Sequence, residues 1–167
     1  MAATVQINEF NTVGETKTAS ITNSNMGSTD AVNLNAVTYP IAADDNSYEK
    51  WQKIEVTAMG GSSKIDNLKT WRTTALAAEA THLTNARIAD YGGAEEFATP
   101  IATASTIADQ TMPSSEPASA NLGIGGALAG ALTDAGSSDY LVHQIQTTAS
   151  AVAGASCTMN YQYDETA

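Results

Sequence analysis

Three side chains in the sequence have the right types for chemistry near neutral pH: His82, His143 and Cys157. A thiol beside an imidazole is the commonest two-residue nucleophile. His143 alternates with Leu141 and Ile145, and Cys157 with Met159 and Tyr161. Two strands joined as a hairpin would therefore bring Cys157 within reach of His143. The nucleophile itself is the thiolate, and no basic neighbour in the sequence lowers the pKa of Cys157. A buried thiol and a core or interface histidine are the simpler expectations. The histidines are far apart and neither belongs to an HxH or HxxxH pair, and a single cysteine cannot build a Cys-based zinc site. The expectation is no catalytic residue, no metal and no cofactor.

Four further stretches invite the same scrutiny. Asp44, Asp45 and Asn46 offer oxygen ligands, but the spacing of a calcium loop and its closing glutamate are missing. Such residues satisfy their own backbone in turns. Glu95 and Glu96 are adjacent, and neighbouring residues of a strand point to opposite faces, so they are a poor pair for glycoside hydrolysis. Gly123 to Gly130 superficially resembles a nucleotide loop, yet it lacks the lysine of a P-loop and the strand and helix of a dinucleotide fingerprint. It reads as a loop in which Leu122, Ile124 and Leu128 form an apolar docking surface. Trp51 and Trp71 could stack on sugars, although core or interface positions suit them better.

These residues must be held by strands. Val5 and Ile7 alternate with polar residues, giving a short strand within an extended N-terminal arm over residues 1–20. Ala19–Thr22 reads as a weak strand, and Val32–Tyr39 as a stronger one that Pro40 limits. Ser47–Trp71 reads as two strands, Tyr48–Met59 and Ile65–Arg72, joined through Gly60–Ser63. Trp51 has the opposite parity to Ile54 and Val56. The expectation is therefore a bulge near Gln52, or a Trp51 that packs outside the main core. Strands are expected near His82–Ile88 and Ile101–Ile107. The closing pair, Asp139–Thr148 and Ala155–Asp164, reads as a hairpin closed by Ala149–Gly154. Short strands, frequent turn signals and no convincing helix predict one all-β domain over residues 1–167. Its expected form is an antiparallel β-sandwich, jelly-roll or Ig-like, with long loops.

The bulk composition bounds the function. The chain has 167 residues and a net charge of −11, with charged side chains at only 15%, below the ~25% of typical soluble domains. Five of the seven cations, Lys50, Lys53, Lys64, Lys69 and Arg72, lie in or beside the Ser47–Trp71 stretch. The acidic remainder argues against nucleic acid as a partner and suits docking onto a basic surface. No run is long and apolar enough for a membrane helix, and the first ten residues lack the pattern of a signal peptide.

Tyr39-Pro40-Ile41, Asn46-Ser47-Tyr48-Glu49-Lys50-Trp51 and Lys64-Ile65-Asp66-Asn67-Leu68-Lys69-Thr70-Trp71 resemble segments of small β-sandwich virion proteins of tailed bacteriophages. Asp139 to Gln146, a Gly-ended loop and Asn160 to Glu165 are similar to the closing hairpin of such sandwiches. The resemblance covers about half the chain and brings no catalytic residues with it. It implies a virion protein without enzymatic activity, either a decoration (cement) protein of the capsid or a tail component. The implied partners are the major capsid protein or another virion protein. A homo-oligomer is expected, with a trimer among the symmetric options. The expected contact residues are Val5, Ile7, Trp51, Trp71, Leu122, Ile124 and Leu128. A carbohydrate-binding tail module is the alternative.

Overall fold

Ten β-strands and no helix make up the residues described by the computed structural model, namely 1–74, 76, 80–86, 104–105 and 110–167. They are β1 (Thr4–Asn11), β2 (Thr16–Thr18), β3 (Lys50–Ala58), β4 (Lys64–Arg72) and β5 (Ala80–Ala86). β6 (Gln110–Thr111), β7 (Ala131–Leu132), β8 (Gly136–Ser137), β9 (Leu141–Thr147) and β10 (Met159–Thr166) complete the set. The larger sheet runs β2-β1-β3-β9-β5-β6, with β8 also on β3, and the smaller sheet runs β10-β4-β7. Every pairing is antiparallel. The two sheets pack as a β-sandwich, as the alternation predicts.

β3 organises the larger sheet. On one side β1 pairs with it along its length, placing Ile7 opposite Ile54 and Phe10 opposite Trp51. On the other side β8 and then β9 continue one another, joined at Ser138, whose backbone and side chain both bond Ile54. No bulge occurs near Gln52: the register with β1 is continuous from Val5 to Phe10. Trp51 instead packs outside the main core, which is the other arm of the expectation. Ile54 and Val56 face the smaller sheet and form the main core with Leu141, Ile65, Leu68 and Leu122. On the opposite face Trp51, 1% exposed, packs with Tyr140, Val142 and Phe10. Its ring meets Tyr140 edge-on at 5.0 Å, and Lys53 Nζ lies 3.9 Å from the Tyr140 ring centre. Such contacts add to the burial itself.

Glu9, Asn11 and Lys50 share the inward parity of Ile7 and Ile54, on a part of the inner face that the loop of residues 19–49 covers. Lys50 is 1% exposed. Its ammonium donates to Asn11 Oδ1 and to the Ala31 carbonyl, 3.0 Å away, and lies 3.6 Å from Glu9. Ser24 donates to the same carboxylate. One buried charge thus ties the loop to the sheet.

Four expectations about the elements are corrected. Residues 1–20 are not an arm. β1 is a paired strand, β2 returns beside it, and Met1 is held by Gly61 N–H at 2.6 Å. Gly60 makes that approach possible, with a φ of +62° and no room for a Cβ, which would sit 2.5 Å from the Met1 and Ala2 carbonyls. Val32–Tyr39 is a series of turns: Asn33 is left-handed and the Asn35 side chain accepts from the Val37 and Thr38 N–H groups. Most tellingly, Asp139–Thr148 and Ala155–Asp164 do not form a hairpin. β9 pairs with β3 and β5, whereas β10 crosses to the other sheet and pairs with β4. The strand expected near His82–Ile88 overlaps β5 over His82–Ala86, and residues 87–88 and most of Ile101–Ile107 lie outside the described residues. Ala19–Thr22 is not a strand, although Ile21 N–H bonds the Ile7 carbonyl beside β1.

Candidate functional site

The reactive residues meet between the sheets. β5 and β9 are neighbours, with His82 opposite Ile145 and Thr84 opposite His143. The two imidazoles are therefore diagonal on one inward face. Their rings stack at 5.3 Å, and His82 Nε2 lies 3.2 Å from His143 Nδ1. Cys157, in the segment leading into β10, reaches the other nitrogen of His82 at 3.5 Å. The order is Cys157–His82–His143, so the direct Cys157–His143 pair expected from a hairpin is not made. His82 stands between them because Cys157 enters from the opposite sheet.

Burial, and then the nearby Arg72 guanidinium, pulls His82 down to about 4. Burial pushes His143 well below the usual histidine range, and a charge on His82 would push it further the same way. Burial raises the Cys157 thiol, with Arg72 opposing. At neutral pH all three groups are uncharged. Among the described residues His143 Nε2 is buried without a hydrogen-bond partner. A buried orphan N–H is rarer and costlier than an orphan acceptor, which assigns the His143 proton to Nδ1. Nδ1–H then donates to His82 Nε2, and His82 Nδ1–H donates to the sulfur. In that arrangement His82 turns no lone pair toward the thiol, so it cannot accept the thiol proton. The row works as a neutral polar seam and not as a thiolate–imidazolium pair.

The seam lines a cleft of about 580 Å³, a size common for ligand and peptide sites. Ile7, Ile21, Ile145 and Met159 supply apolar walls, and Gln52 and Tyr161 add polar groups. The Tyr161 hydroxyl donates to Gln52 Oε1, linking the sheets. Among the described residues no three His, Cys, Asp or Glu side chains form a metal-binding group.

Of the expected contact residues Trp51 and Leu122 are buried, and Val5, Ile7, Trp71, Ile124 and Leu128 are half-buried. Leu122 is fully buried and Ile124 and Leu128 pack against the main core. Their loop is folded back: Asn121 N–H and Leu122 N–H both donate to the Leu68 carbonyl, and the Asn121 amide bonds both backbone groups of Thr70. Leu122 is therefore closed to a partner, while Ile124 and Leu128 keep part of their surface. Trp51 is enclosed, Trp71 is half-buried on β4, and Val5 and Ile7 pack partly buried against the core. Asp45 and Asn46 form a turn beside β9, with Asn46 N–H on Asp45 Oδ1 and Asp45 N–H on Thr147. Glu95 and Glu96 lie outside the described residues. The sequence did not single out His82 as a neighbour of Cys157. Its parity on β5 was a usable signal, but the pairing of β5 with β9 was not legible locally. No protein-family model, no curated protein and no solved structure matches the chain.

Proposed function

We propose that the protein is a non-enzymatic structural component of a tailed-phage particle, a capsid decoration protein that stabilises the shell by protein–protein contacts. The observation that carries this reading is the distribution of exposed large apolar side chains. Among the described residues, apart from Met1, these are Val13, in the β1–β2 turn, Val32, Val37 and Tyr39, in the loop of residues 19–49, and Val152, between β9 and β10. A rigid sandwich that presents apolar loop tips on an acidic body suits docking onto a basic shell protein. The buried Lys50 bond to Ala31 fixes the longest of these loops, so the docking shape is preformed and little ordering entropy is lost on binding. The neutral state of Cys157 and His82 weighs against a role for the thiol as a nucleophile. The enclosure of Trp51 weighs against a sugar platform.

Quantitative mass spectrometry of purified particles tests the proposal. The expected result is this chain in a fixed stoichiometry with the shell protein, removable as a homo-oligomer under mild dissociation. Its absence, or trace copies only, overturns it.

A further inference from the structure

The two sheets are unequal, and the sandwich is open along one flank. β10 ends the smaller sheet and pairs with β4 alone; no other strand among the described residues lies beside its outer edge. Ile7 of β1 and Ile21 line the same clefts as Tyr161 of β10. The 580 Å³ cleft is bounded by residues 21–26 on one side and 151–159 on the other. A second cleft, of about 370 Å³, continues it toward Tyr163. The two share Ile7, Ile21 and Tyr161. Together they form one trough that runs alongside a free strand edge with a half-buried apolar floor.

Natural edge strands are guarded by proline, lysine, bulges or a covering element. Met159–Gln162 contains neither proline nor lysine. The bulge in the pairing with β4 comes only between Gln162 and Asp164, where exposed Asp164 and Glu165 follow. The unguarded run is thus the stretch bordering the trough.

We propose that this flank is a β-augmentation site: a strand from a cationic partner protein pairs with the outer edge of β10 and sets alternate apolar side chains onto Ile7, Ile21 and Tyr161. Main-chain bonds would supply affinity and the floor specificity, as in other strand-addition sites. Charge selects the occupant. The chain carries −11, and exposed Asp164 and Glu165 follow Tyr163 on β10, so a second copy brings repulsion and a basic strand brings attraction. The inference rests on the edge and the trough and not on the phage assignment, which the particle measurement tests separately.

The test is residue-resolved hydrogen exchange on the intact protein, with a synthetic alternating Val/Lys peptide as probe. A control peptide of the same composition has alternate amides N-methylated, which leaves its charge but removes the ladder. In the free protein the Met159–Gln162 amides not bonded to β4 should exchange quickly. The unmodified peptide at about 1 mM, the weak end of specific binding, should slow them at least tenfold and the control should not. Ile21→Lys, a substitution on the trough wall, should abolish the protection while leaving the melting temperature within a few degrees. Any one of four results overturns the proposal: equal effects of both peptides, no protection, edge amides already protected in the free monomer, or a concentration-dependent dimer that protects the edge without peptide.

Discussion

Replacing Lys50 by methionine should unfold the loop of residues 19–49 before it unfolds the sandwich. Methionine keeps the apolar stem and removes the ammonium. That leaves the Glu9 carboxylate, itself buried, with only Asn11 Nδ2 at 3.0 Å and the Ser24 hydroxyl as donors. It also strips a donor from the Ala31 carbonyl and from Asn11 Oδ1. Breaking one side of a buried pair costs about 3–5 kcal/mol, a large part of the ~5–15 kcal/mol that holds a domain of this size. Removing the orphaned charge as well, in Lys50→Met/Glu9→Gln, should restore at least about 1 kcal/mol relative to the sum of the single effects. Urea unfolding followed by tryptophan fluorescence reads the global stability, since Trp51 is enclosed in the native state. Hydrogen exchange over residues 24–35 reads the loop. If Lys50→Met costs less than about 1 kcal/mol, or the double variant shows no coupling, the ion pair does not hold the loop and the argument fails.

Four further outcomes follow from the same structure. His82 has a folded pKa of about 4 against 6.5 when unfolded, so the unfolded chain binds the extra proton first as pH falls. Stability should therefore decline by about 3 kcal/mol between pH 6.5 and pH 4, with His143 adding in the same sense; denaturation midpoints that stay flat across that window would rule it out. Glu55, held down to about 2 by its bond from Lys17 and then by those from Gln6 and Asn8, should lose its own contribution only as pH falls from 4.5 toward 2, and Lys17→Met should reduce that second slope. Cys157 should react with iodoacetamide at pH 7 at least about tenfold more slowly than in the unfolded chain, and an accelerated reaction with an acid-shifted pH profile would restore the nucleophile reading. Gly60→Ala should lower stability by about 1–3 kcal/mol, since both the positive φ and the Met1 and Ala2 carbonyls oppose a Cβ; an unchanged melting temperature would show that the N-terminus is not pinned there.

Much of the candidate site was written in the chain as faces but not as neighbours. The alternation of Leu141, His143 and Ile145 marks an inward face, and His143 is indeed buried at 3% exposure. Cys157 was correctly on the parity of Tyr161, yet its partner proved to be His82, because the strand it precedes belongs to the other sheet. The opposite parities of Trp51 and Ile54 were legible too, and they became two separate cores on the two faces of one strand. Val32–Tyr39 misled because alternation alone cannot see that Asn33 and Asn35 offer the backbone a turn.

The sequence by itself determined the class: short alternating segments with polar turns can only bury their apolar faces as an antiparallel β-sandwich. It also determined which side of each strand is buried, since that depends only on a period of two. Tertiary structure alone decided which strands pair. A strand's apolar face looks the same whether its sequence neighbour lies beside it at hydrogen-bonding distance or across the core in the opposing sheet. That is why β9 and β10 read as a hairpin and fold as two layers. The same crossing leaves β10 at the end of the smaller sheet, paired with β4 alone among the described residues.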